Sequence, residues 1–169
     1  SSDRTNYGET VPSNYLDLAL WLEADRMGFL LEALDQGRFD IQRDVVKNER
    51  RQSYENRPYG LAHLLLQPAM FPFPHPYNWP VIGSQDDLAS ASLDDVKAFF
   101  RRFYAPSNAS LALAGDFDID EAKRLIELYF GDIAPGPAIN RVGRMDSSLR
   151  GEVRLTISDK VQLPRLYLV

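Results

Sequence analysis

Apolar and polar positions change period several times along this chain, and each change marks an element. Residues 4 to 11 alternate loosely around Thr5, Tyr7 and Val11, which predicts a strand, and Pro12-Ser13-Asn14 then offers a helix start. A helix follows over about Tyr15 to Leu34, apolar around most of its circumference and so expected between two other layers, with Gly37 as its stop. The next helix starts after Phe39, with Asp40 as its expected cap, and must end or bend near Pro58. "LAHLLL" continues to Pro68. Between residues 67 and 84 five prolines alternate with Phe71, Phe73, Tyr77 and Trp79, the pattern of an ordered loop packed through its rings. Ser92 with Asp95 forms a capping-box pattern ahead of a helix to about Tyr104, and Asp118 with Glu121 opens "IDEAKRLIELYF", closed by Gly131. "ASLALAGD", "EVRLTIS" and "RLYLV" read as strands, and "APGPA" as a connector. The order of elements predicts an α+β fold, a mainly antiparallel sheet with helices packed on one face.

The segment from Gln42 to Pro58 raises the first chemical question. At about 100° per residue, Gln42, Val45, Val46, Gln52, Ser53 and Asn56 fall within about 60° of Glu49, so that face carries a single charge. Arg43, Asp44, Lys47, Arg50, Arg51, Glu55 and Arg57 lie on the flanks or the far side. Glu49 is therefore expected to point inward, where a carboxylate needs a cation, a metal or several donors. Two readings follow: a structural Glu held by a neighbouring Arg, or a metal ligand or catalytic acid.

Composition narrows the choice of chemistry. The chain has 169 residues, 44% hydrophobic, enough for one ordinary domain or a large piece of one. A net charge of −5 argues against a nucleic-acid partner. The absence of cysteine removes disulfides, thiolate zinc sites and a Cys nucleophile. The most apolar run, residues 15–34, carries Asp17, Glu23, Asp25, Arg26 and Glu32, so no membrane span is expected. Neither phosphate-cradling glycine pattern occurs, nor does G-x-S-x-G. Of the two histidines, His63 reads as a core residue and His75 as a loop-orienting one; neither is spaced to join Glu49 in a zinc site. No second carboxylate shares the Glu49 face, against a glycosidase-like pair. The chain opens without Met or a leader pattern and closes on the apolar "LPRLYLV", so both ends are expected to continue.

The words "DRTNYGETVPSNYLDLALWLEADRM", "RDVVKNERRQ", "HPYNWPVIGSQDDLASASLDDVKAFFRRFYAPSNASLALAGDFD" and "IELYFGDI", in that order and covering the chain to about Ile133, resemble the pitrilysin or insulinase-like zinc peptidases. This is the inverzincin, M16-type family that includes mitochondrial processing peptidase, and bacterial members look most similar. The resemblance implies a mitochondrial-processing-peptidase-like metallohydrolase fold, with 1–133 as the C-terminal remainder of a first peptidase-like domain, 134–150 as connector, and 151–169 as strands leading onward. In that family a helix bearing H-x-x-E-H supplies two His ligands and the general base, and a later helix supplies a third ligand within E-R-x-V-V-x-x-E. Glu49 matches that third position. Zinc-bound water then attacks a peptide carbonyl, the substrate lying as an added strand on a sheet edge.

Two departures qualify the match. No H-x-x-E-H occurs here, so no catalytic residue is expected in this chain and the general base is expected upstream of Ser1. Gln42 stands where many relatives carry an auxiliary Glu, and is the candidate neutral hydrogen-bonding group behind the Glu49 ligand. Thr5 and Asn6, at the end of the segment matching the substrate-binding edge, are candidate substrate contacts. The resemblance thus implies part of a zinc endopeptidase, with one zinc ion in the parent and none in this segment, inactive alone. Its partners would be a peptide substrate and a second homologous half or subunit, and a periplasmic location is favoured. The alternative is a non-catalytic structural or substrate-binding half that pairs with an active subunit.

Overall fold

A computed structural model of the chain describes residues 2–147, 149 and 151–169. Its helices are α1 (Leu16–Ala33), α2 (Gln36–Arg50), α3 (Leu61–Met70), α4 (Gln85–Ser90), α5 (Leu93–Phe103) and α6 (Ile119–Phe130). Short 3₁₀ turns precede α1 and follow α3 and α5, and a π-helical turn, Arg51–Glu55, extends α2.

The described residues form two units. One comprises Thr5–Phe39 and Ala91–Arg141. Its centre is the seam between α1 and α6, where Leu20 and Leu125 are 2% and 4% exposed and Ala24 and Ala122 let the two backbones approach. Each fully buried leucine contributes about 1.5–3 kcal/mol. Tyr129 on α6 donates to the Asp17 carboxylate of α1 at 2.7 Å, closing one end of the seam. The start of α6 is capped as the sequence predicts, the Asp118 side chain accepting from the Glu121 N–H. At α5 the Ser92–Asp95 capping box is complete in both directions.

The second unit comprises Asp40–Ser90 and Val142–Val169 with the residues before Thr5. It holds most of α2, then α3, α4 and the aromatic-proline loop. That loop packs through its rings, as its composition predicts: Phe71 lies 4.8 Å from His75 and 5.4 Å from Tyr77, centroid to centroid. Gln67 and Asn78 side chains donate to the Trp79 and Phe71 carbonyls at 2.9 and 2.8 Å, fixing the loop to the end of α3.

Several expectations need correction. The α+β fold with an antiparallel sheet is not what forms: the structure is 52% helix, with no strand among the described residues. The segments around 4–11, 109–116, 152–158 and 165–169 have a strand-like pattern but no ladder partner. Alternation records only that a segment can present one apolar face; pairing is a separate, non-local condition that no described segment meets. Helix α1 was expected to be covered on two sides, yet only its α6 side is buried. Tyr15, Leu18, Leu22 and Phe29 remain exposed, Phe29 at 54%. Gly37 does not end α1, which stops at Ala33, and Gly37 lies in the first turn of α2. The cap of α2 is accordingly Asp35, whose carboxylate accepts from the Arg38 N–H at 2.8 Å, rather than Asp40.

Candidate functional site

Helix α2 carries the chemistry singled out above, with its polarity of burial reversed. Glu49 is exposed, not inward, and so are Gln42, Val45, Gln52, Ser53 and Asn56. The charged flank is the side that meets neighbours. The Arg50 side chain is only 14% exposed, pairs with Glu55 at 3.0 Å and donates to the Gly83 carbonyl. Gln85 at the start of α4 donates to the Lys47 carbonyl at 3.2 Å and reaches Glu55 at 3.5 Å. The expectation of an inward Glu49 is therefore not met: its face stays open among the described residues.

Gln42 and Glu49 share this open face, two helical turns apart. Thr5 and Asn6, also exposed, belong to the other unit. His63 is exposed on α3 rather than in a core, its ring 6.0 Å from that of Tyr167. His75 orients its loop as expected, Nδ1 accepting from the Tyr77 N–H at 3.0 Å. Among the described residues no three His, Cys, Asp or Glu side chains cluster in a way that could hold a metal ion. Glu49 is one available carboxylate, and the residues present do not by themselves compose a zinc site.

One turn beyond Glu49 a groove of about 460 Å³ opens, lined by Ser53, Tyr54, Arg57, Tyr59, His63, Arg165 and Tyr167 among others. Its floor is tightly set. Tyr59 holds a left-handed backbone, φ 63°, its N–H donating to the Asp159 carboxylate and its hydroxyl to the Leu163 carbonyl, both at 2.8 Å. Gly60 follows because a Cβ there would stand 2.1 Å from the Tyr54 carbonyl oxygen. The Arg165 guanidinium stacks 4.2 Å above the Tyr59 ring. Sequence reading missed this groove: Arg57 and Arg165 stand over a hundred residues apart, and only the bulky Tyr before Gly60 hinted at a special turn.

A family profile described as "Peptidase M16 inactive domain" matches residues 90–169. The chain is 33% identical over 130 residues to the zinc protease PqqE of Helicobacter pylori, covering 77% of this chain and 29% of that protein. The chain belongs to the M16 peptidase family. Other relatives of this M16 chain include the uncharacterized zinc protease YmxG of Bacillus subtilis, 27% identical over 131 residues, or 78% of this chain and 31% of YmxG. A crystal structure of a protease from Helicobacter pylori superposes with a TM-score of 0.68 at 30% identity, over 78% of this M16 chain and 30% of the protease. The chain thus spans about three-tenths of the length of the relatives it matches. No helix among the described residues is long and apolar enough to cross a membrane.

Proposed function

We propose that this chain is the part of a bacterial M16 zinc endopeptidase that contributes Glu49 as one ligand to a zinc ion whose other ligands lie outside it. The observation that carries the reading is the open face of α2: Glu49 is the one carboxylate on it, beside Gln42, Val45 and Ser53, and makes no ion pair among the described residues. A carboxylate fastened for structural reasons would be paired, as Arg50 and Glu55 are on the other side of the same helix. Gln42 supplies a neutral hydrogen-bonding group two turns away. Thr5 and Asn6, exposed ahead of α1, are the proposed peptide contacts, with a homologous half or subunit completing the enzyme. The names of the relatives, zinc proteases, support the chemistry.

The same reading makes the isolated chain catalytically silent. With one candidate ligand, the purified 169 residues should retain no stoichiometric zinc at micromolar concentration after gel filtration and cleave no casein or peptide mixture. Tight zinc together with cleavage would overturn it.

A second reading is favoured by one observation, the match of residues 90–169 to a domain described as inactive: a non-catalytic half that binds substrate or supports an active partner. Metal content of the longer parent protein separates the two. Under the first reading one zinc per protein is lost on Glu49→Gln; under the second, zinc content does not respond to Glu49.

A further inference from the structure

We propose that the groove formed by the π-turn after α2, the start of α3 and the segment around Arg165 is a binding site for a peptide carboxylate. The lining holds two arginines, a histidine and three tyrosines, and no carboxylate. This is an unusual local balance in a chain of net charge −5. Asp159 and Glu55 open instead onto the adjoining groove, which shares Arg57. Among the described residues neither Arg57 nor Arg165 makes an ion pair; the Arg165 guanidinium is positioned by the Tyr59 ring and the Tyr167 hydroxyl, 3.4 Å away.

A guanidinium held as Arg165 is presents a planar donor pair matched to a carboxylate, and the phenol rings beside it suit the apolar body of a peptide rather than a bare ion. The volume of about 460 Å³ takes a terminal residue or a Glu side chain with its backbone. The strained Tyr59 supports a functional rather than incidental groove. A bulky residue at φ 63° costs free energy, and here two hydrogen bonds and the Gly60–Tyr54 contact keep it in place. Ser53 on the rim follows Glu49 by four residues, about 6 Å along the helix axis, so a segment anchored here runs past the Glu49 face. The carboxylate site does not depend on Glu49 binding a metal.

The test is fluorescence anisotropy with the 169-residue chain and an N-terminally labelled Ala-Ala-Ala-Phe peptide in three forms: free acid, amide, and amide carrying one internal Glu. The expected result is binding of at least one carboxylate form and about tenfold weaker binding of the plain amide. The free acid alone binding identifies a terminal carboxylate, and the Glu form binding identifies a side chain. Arg57→Gln and Arg165→Gln should each weaken binding about tenfold, Arg165→Lys less, and Lys123→Gln, on α6 in the other unit, should leave it unchanged. Far-UV circular dichroism checks that each variant keeps its helicity. Equal affinity for acid and amide, no binding at millimolar chain, or displacement by equimolar inorganic phosphate would overturn the proposal; none of the three needs a variant.

Discussion

The two units are held together by different means. In the one built on α1 and α6, Leu20, Ala24, Phe39, Ala105, Ala122 and Leu125 are buried, and an apolar seam carries the fold. In the other, Ala62 is the only buried hydrophobic residue among those described, and cohesion comes from Arg50–Glu55, the Tyr59 hydrogen bonds and the ring contacts of the aromatic-proline loop. Polar stitching is directional but adds little net free energy per contact, whereas an apolar seam is strong and indifferent to detail. Glu49 and the groove both lie in the stitched unit, where local opening is cheapest and a ligand has most to organise.

Leu125→Ala should break this contrast most severely. It empties the centre of the seam and is expected to cost about 3 kcal/mol in urea unfolding, read by circular dichroism; a loss under 1 kcal/mol would mean that α1 and α6 do not depend on each other. Gly60→Ala attacks the stitched unit where its backbone is tightest. The added methyl forces the Tyr54 carbonyl to move, with about 2 kcal/mol expected in the same assay, and hydrogen exchange should rise in α3 while α1 and α6 keep their protection. Ser92→Ala removes the hydroxyl of the capping box and should cost about 1 kcal/mol.

The smallest effects are set by pH. Hydrogen bonds from Ser92 hold the Asp95 carboxyl below its ordinary range, so the stabilisation it gives is present above the usual carboxylate pKa and fades as pH falls through the lowered value. Ser92→Ala should flatten that part of the acid limb. Burial, helped by the hydrogen bond to Tyr104, pushes Tyr7 up to about 12, so its contribution is full below pH 10 and lost between pH 10 and 12. Tyr7→Phe should leave less stability to lose over that interval, followed by thermal melts.

What the sequence discloses divides along the same line. Helices α1, α5 and α6 were legible to within a residue or two, because capping pairs such as Ser92–Asp95 and Asp118–Glu121 are local. Asp40 is the cap expected of a helix that begins only after a terminating Gly37, but a first helical turn tolerates glycine where an interior does not, and α2 already starts at Gln36. The strands failed since a ladder needs a partner that no alternating segment can announce. The burial of α2 failed for a related reason: periodicity finds faces, while Gly83 and Gln85, over thirty residues on, determine that the Arg50 side is the covered one. The groove was illegible because its two arginines come from opposite ends of the unit.

The π-helical turn Arg51–Glu55 acts as a gear between Glu49 and the groove. A π-turn is what a helix looks like after accepting one residue more than its pitch allows. Deleting one residue within it would return the turn to ordinary pitch, and everything after the deletion would advance by about 100° around the axis. Tyr54 and Arg57 would then leave the groove while Glu49 kept its place. The length of a five-residue segment thus decides whether the groove forms beside an unchanged Glu49 face.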